Sequence, residues 1–184
     1  MSLSYSFLKF KDQTFEDFYL LYCGHQECPS SYSFGPAVRP NYLIHYVLKG
    51  KGYYYVNERK YTIEENQGFL IRPKELTYYQ ADEEEPWTYL WIGFDGSKAE
   101  TYLKYSGLDE KTYTFSCNDS DLLKSYLDQM MRHDTLSHYN EFSLQGLLFL
   151  FFAALAKSAE IPYEEDVEID NLYISKAIEY IQKN

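Results

Sequence analysis

The hydrophobic period of this chain changes once, near Ser120, and that change bounds what it can fold into. Between 15 and 115, apolar residues come in short aromatic and β-branched runs broken by Gly, Pro and Asn. The runs 18–23, 42–48, 52–56, 60–63, 68–71 and 88–94 each read as a strand. Gly50-Lys51-Gly52, Val56-Asn57-Glu58, Asn66-Gln67-Gly68 and Pro86 supply turns between them. Short strands recurring at this spacing predict a β-sandwich or barrel rather than a parallel α/β sheet. A short helix is expected at 99–106. Past Ser120 the pattern turns helical: Leu123, Leu127 and Met130 repeat along one face, flanked by Leu122, Tyr126 and Met131. A second helix, 141–159, carries Leu144, Leu147, Leu148, Phe151, Phe152 and Leu155 over a wide arc. So wide an apolar arc has to bury more than one side. One side can lie on the barrel or on the first helix. The other meets either a partner chain or a core within the same chain.

Composition narrows the function. Aromatic residues make up 19%, from 21 Tyr, 12 Phe and 2 Trp. Such residues favour strands, and Tyr and Trp also line pockets that need an apolar face with a polar tip. The net charge of −11 opposes any phosphate backbone, so these 184 residues are not expected to bind DNA by themselves. The longest greasy stretch, 144–156, is too short for a bilayer span and is interrupted by Gln145 and Gly146. The start of the chain lacks a basic region followed by an apolar core, so secretion is not expected. Three cysteines, an odd number, then point to reduced thiols and a cytoplasmic protein. Cys23, His25 and Cys28 could be read as metal ligands, but no second ligand pair follows at a suitable spacing, so no metal and no cofactor are expected.

Three stretches carry a family resemblance: FGPAVRPNYLIHYVLKGKGYYYV, then NQGFLIRPKELTYYQADEEEPWTYLWIGFDG, then the tail NLYISKAIEYIQKN. The first two resemble the opening strands and the following Gly-aromatic-Leu-Ile-x-Pro part of the sensor domain of AraC-type transcription regulators, closest in flavour to regulators of multiple-sugar metabolism. The tail resembles the opening helix of the AraC-type DNA-binding domain. The resemblance implies a mainly β chain: a cupin-like barrel (jelly roll) at 1–117 and a helical dimerisation hairpin at 118–159. A linker at 160–170 and the first helix of a truncated helix-turn-helix domain at 171–184 would follow. The segment 5–15 is a candidate arm that could fold over the pocket.

Strand parity agrees with a barrel that holds a ligand. Leu43, His45 and Val47 share one strand face, and Trp87, Tyr89 and Trp91 share another. The resemblance implies that Tyr89 and Trp91 look into the barrel, together with Tyr79 and Arg39, whose spacing to Tyr42 is shorter than in the family. His45 joins this set by parity alone, and Trp87 by its shared face. The two Trp either line a pocket or fill the barrel. The expected ligand is a small sugar-like effector: a sugar ring offers C–H faces for Trp to stack on and hydroxyls for Tyr, Arg and His. Leu144, Leu148, Phe151, Phe152 and Leu155 are the expected homodimer contacts. DNA contact is left to the truncated domain, and no membrane partner is expected. An alternative is a metal-free cupin enzyme acting on a small sugar. Metal-dependent catalysis is disfavoured because the strand YLIHYVLKG holds one His, and Thr77-Tyr78-Tyr79 stands where a further ligand would be needed.

Overall fold

A computed structural model describes residues 5–10, 14–133 and 137–161. Its elements are, in order, β1(Tyr5–Lys9), β2(Tyr19–Glu27), β3(Ser33–Val38), β4(Tyr42–Lys49), β5(Lys51–Val56), β6(Arg59–Glu64), β7(Gln67–Ile71), β8(Leu76–Ala81), β9(Thr88–Asp95), α1(Ala99–Tyr105), β10(Thr114–Ser116), α2(Ser120–Met130) and α3(His138–Ala159). The strands pair antiparallel into a six-stranded sheet, β1-β2-β9-β4-β7-β10, and a four-stranded sheet, β3-β8-β5-β6. The two face each other as a mainly β double sheet, the sandwich or barrel that the strand spacing predicts and the cupin-like barrel that the resemblance implies. The β5–β6 hairpin turns on Asn57 and Glu58, both at positive φ (50° and 62°), the left-handed geometry that suits the twist of two strands joined by a two-residue loop.

The two sheets differ in how their strands are buried, and the cause is the helices. Strands β5 and β8 alternate buried and partly exposed residues, because the outer face of the small sheet meets water. Strands β4, β7 and β9 are buried almost throughout. Their inward residues, including Leu43, Val47, Phe69 and Ile71, pack against Tyr54, Val56, Ile63 and Ala81 of the small sheet. Their outward residues, including Ile44, Tyr46, Leu70, Leu90, Ile92 and Phe94, form a second core with α1, α2 and α3. The large sheet is thus a shared wall: a barrel interior on one side, a helical layer on the other.

Helix α3 begins at Ser137, whose side-chain oxygen accepts a 3.1 Å hydrogen bond from the Asn140 amide, and ends on Glu160 in the left-handed region. At 22 residues it is longer than the apolar run suggests, because the polar stretch ahead of Leu144 is helical too. By length and composition it could cross a membrane, which corrects the reading that no stretch is long enough. Here one flank lies on the large sheet: Phe152 meets Phe18 and Phe94 edge to face at 4.9 and 5.0 Å. The expected dimer contacts are therefore placed differently. Leu148, Phe151, Phe152 and Leu155 are buried within the chain and Leu144 is half-buried, because the outer face of the large sheet has to be covered. The large apolar side chains that α3 leaves exposed are Tyr139, Phe142, Phe149 and Leu150. The expected terminal helix, 171–184, and all but the start of the expected linker, 160–170, lie outside the described residues.

Candidate ligand-binding site

Two inward glycines open a hollow on the barrel side of the large sheet. Across one row, Phe7 of β1 pairs with Gly24 of β2, Gly24 with Trp91 of β9, Trp91 with His45 of β4, and His45 with Phe69 of β7. The next row runs Lys9, Tyr22, Gly93, Leu43 and Ile71. A Cβ on Gly24 would lie 2.4 Å from the Trp91 indole, and one on Gly93 would lie 2.3 Å from the Tyr22 ring. Each ring therefore lies over the backbone of its neighbouring glycine instead of reaching across the barrel. What remains is a cavity of about 360 Å³ lined by Phe7, Lys9, Tyr22, Gln26, Tyr32, Phe34, Arg39, Leu43, His45, Tyr79, Tyr89 and Trp91. That volume sits within the usual range for small-molecule sites.

Five of the six expected ligand residues meet there: Arg39, His45, Tyr79, Tyr89 and Trp91. Trp87 does not. It is fully buried, with its ring over Gly52, where a Cβ would come within 2.4 Å, and stacks on Phe69 at 5.8 Å. Trp87 shares the strand face of Tyr89 and Trp91, but it lies beyond the hollow, where the two sheets close together. Phe7 and Lys9 belong to the candidate arm 5–15 and Leu43 to the His45 strand face, while Tyr22, Gln26, Tyr32 and Phe34 escaped the sequence reading. Parity along β2 (Tyr22, Gly24, Gln26) and a glycine within a strand were the signals that could have found part of this wall.

Polar atoms in the cavity are unevenly satisfied. The Arg39 guanidinium lies 4.4 Å over the Phe34 ring, which stacks in turn on Tyr79 at 5.6 Å, and Arg39 Nε is buried without a hydrogen-bond partner. His45 stacks on Phe69 at 4.6 Å and has Tyr79 and Tyr89 each 4.9 Å away, with its Nδ1 buried and unpartnered. Burial, and after it the nearby Arg39 charge, hold the His45 pKa well below the ordinary imidazole value, so the ring is neutral. Burial also pushes the Tyr79 and Tyr89 hydroxyls up, keeping both protonated as donors; Tyr89 donates to Gln26 Oε1 at 3.4 Å. Unpartnered buried polar atoms are costly, and a ligand in the cavity would complete these two; Arg72 Nε, Glu75 Oε2 and Trp87 Nε1 are also unpartnered, outside the cavity.

Nothing among the described residues gathers three or more His, Cys, Asp or Glu into a metal-binding group. Cys23 lies on the helical side of the large sheet, with its Sγ 3.6 Å from Met131 Sδ, whereas Cys28 packs into the barrel. The sheet itself separates the two thiols.

Residues 20–152, the span that contains the cavity wall from Tyr22 to Trp91, match the family described as the AraC-like ligand binding domain. The chain belongs to that family. This AraC-like domain is 39% identical over 145 residues to the Msm operon regulatory protein of Streptococcus mutans, covering 78% of this chain and 52% of that protein. It is 29% identical over 172 residues to the raffinose operon transcriptional regulatory protein RafR of Pediococcus pentosaceus, covering 90% of this chain and 61% of that protein. The chain thus spans little more than half the length of these curated relatives. Among solved structures, apo ToxT of Vibrio cholerae superposes over 92% of this chain and 66% of its own with a TM-score of 0.52 at 16% identity, a likeness of fold alone.

Proposed function

We propose that this AraC-like domain is the effector-sensing and dimerisation part of a cytoplasmic transcription regulator of carbohydrate-use genes, with a sugar-like ligand held in the Trp91 cavity. The hollow carries this reading: two glycines keep it open, and Arg39 Nε and His45 Nδ1 wait in it without partners. Trp91 offers a stacking face, and Arg39, Tyr79 and Tyr89 offer donors to ring hydroxyls. Both curated relatives are named as operon regulators, which supports a sensor over the enzymatic alternative. Three buried free thiols support a reducing compartment.

A sensor passes on occupancy only if ligand favours one arrangement of the assembly over another. The shared wall supports such coupling, since His45 and Trp91 face the cavity while Ile44 and Ile92 on the same strands press against the helical layer. On the outside of α3, Tyr139, Phe142, Phe149 and Leu150 are exposed, with Gly146 between them and open space where its Cβ would stand. A glycine in mid-helix costs about 1 kcal/mol relative to alanine, and this one would let a second copy's helix approach closely. The dimer seam proposed here is this outer stripe. DNA contact falls to another part of a longer protein, because the net charge of −11 repels phosphates.

A thermal-shift screen tests the reading, with galactose, glucose, melibiose and raffinose against the 184-residue chain. A ligand at about a hundred times its Kd adds roughly 2.7 kcal/mol to the native state and raises the melting temperature measurably. A panel of sugars, neutral and charged, that leaves the melting temperature unmoved would overturn the proposal.

A further inference from the structure

The charges around the cavity differ in sign from the chain as a whole. Among the described residues that line it there is no Asp or Glu, although the chain holds 28 of them, and two of the lining residues are the cations Arg39 and Lys9. Among the described residues neither cation has an ion-pair partner. Arg39 rests on Phe34 with its Nε buried and unbonded, and His45 beside it is buried with a free Nδ1. Arg72, buried where Arg39 is half-buried, also has an unpartnered Nε, but its two terminal nitrogens are met by acceptors. Arg72 donates to both carboxylate oxygens of Glu100 at 3.0 and 3.1 Å, and to the carbonyls of Leu108 and Asp109. Where an arginine only ties structure together, this fold supplies it with acceptors. Arg39 has none.

The kind of polar group present sharpens this contrast. A sugar hydroxyl both donates and accepts, so a site built for hydroxyls alone needs acceptors as well as donors. Here the tyrosine hydroxyls and Gln26 can donate and accept, but the charged groups of the lining, a guanidinium and an ammonium, only donate, and no carboxylate among the described lining residues balances them. Phosphate and carboxylate oxygens only accept, and their bonds to charged donors are roughly twice as strong as neutral ones. We infer that the ligand of this cavity is anionic, a ring-bearing sugar phosphate or sugar acid whose acceptor-only group engages Arg39 and His45, with Lys9 at the mouth. The inference rests on the reading of the cavity as the effector site and specifies the class of effector.

Calorimetric titration of the whole chain tests it with two matched sets: galactose, galactose 6-phosphate and galacturonate, and glucose, glucose 6-phosphate and glucuronate. An anionic member is expected to bind about tenfold or more tighter than its neutral parent, with the gap narrowing at high salt. Preference for the phosphate or for the carboxylate identifies the group. Arg39→Gln is expected to collapse the gap while changing the melting temperature of the unliganded protein little, since Arg39 gives up only its contact with the Phe34 ring and no hydrogen bond or ion pair. Neutral sugars binding as tightly as their anions would overturn the inference and leave the sugar sensor standing. So would an Arg39→Gln variant that weakens both classes equally. Failure of every member, charged and neutral, would overturn the inference and the sensor together.

Discussion

The Trp91 indole lies over Gly24 of the neighbouring strand, close enough that a Cβ on Gly24 would sit 2.4 Å from the ring, while the Ser6 carbonyl would lie 2.3 Å away on the other side. This contact sets the depth of the cavity. With a side chain at 24, the indole has to swing into the space assigned to ligand, or β1 has to move.

Gly24→Ala therefore strikes the pocket harder than it strikes the barrel. Overpacking of this kind costs about 1–3 kcal/mol, a loss that leaves most domains folded. Denaturant unfolding should show that decrease, while the thermal shift produced by a sugar that stabilises the wild type should vanish. An unchanged ligand response in a folded Gly24→Ala variant would mean that Trp91 does not shape the site.

The two tryptophans should separate cleanly. Trp91→Ala removes a stacking face beside a cavity and should weaken ligand binding by roughly tenfold or more while the domain stays folded. Trp87→Ala opens a void where the sheets close and should cost about 3–5 kcal/mol, the usual range for deleting a buried Phe or Trp. Melting curves and ligand titrations of both variants check this. Equal loss of stability in the two would place Trp91 in the core as well.

His45 gives the barrel a pH dependence whose sign follows from its burial. Its folded pKa lies well below the unfolded value, so the unfolded chain takes up the proton first. The stabilisation is complete above the unfolded imidazole pKa and is lost as pH falls through it toward the folded value. One such group changes stability by up to about 1.4 kcal/mol per pH unit in that window. Stability measured from pH 7.5 down to 5.5 should fall less steeply in His45→Gln than in wild type. Parallel slopes would mean that the ring takes up its proton as readily in the folded chain as in the unfolded one.

The barrel was legible in the sequence wherever turn residues and strand runs agreed. The pairs β5–β6 and β4–β9 stand where the runs 52–56, 60–63, 42–48 and 88–94 place them. Strand β3 was missed because SFGPAV carries Gly35-Pro36 within it; proline removes a ladder donor and is tolerated here because β3 is the edge of the small sheet. Strand β8 is absent from the runs read by period, although the resemblance placed Tyr79 in the barrel, and Thr77, Tyr79 and Ala81 all turn inward. Strand parity pointed to His45 in the cavity wall, and the resemblance to Arg39, Tyr79, Tyr89 and Trp91. The rest depends on register: only the pairing of Phe7 with Gly24, and of Gly24 with Trp91, brings β1 into the wall. The split of α3 into an inner and an outer face was hidden for a similar reason. Apolar residues surround most of the helix, so the sequence marks no side as the one that lies on the sheet.

That split gives the last prediction, on the dimer. Leu148 and Phe152 belong to the core between α3 and the large sheet, and a carboxylate at either would be buried without a partner. Burying an unpaired charge ranks among the most damaging single changes, so Leu148→Glu or Phe152→Glu should unfold the domain rather than release intact monomers. Leu150 faces outward, 48% exposed, and Phe149, 41% exposed, gives up only its ring contacts with Phe18 and Tyr102, so a carboxylate at either position reaches water in a single chain. A monomer rarely leaves such a contiguous apolar stripe uncovered, and in a two-fold pair the same stripe faces its own copy. The wild-type chain should sediment as a dimer at tens of micromolar. Phe149→Glu with Leu150→Glu should sediment as a monomer, because paired like charges across a two-fold axis repel, and should keep the circular dichroism and ligand response of the folded barrel. A wild-type chain that remains monomeric at that concentration, or a double variant that still dimerises, would remove the outer face of α3 as the seam.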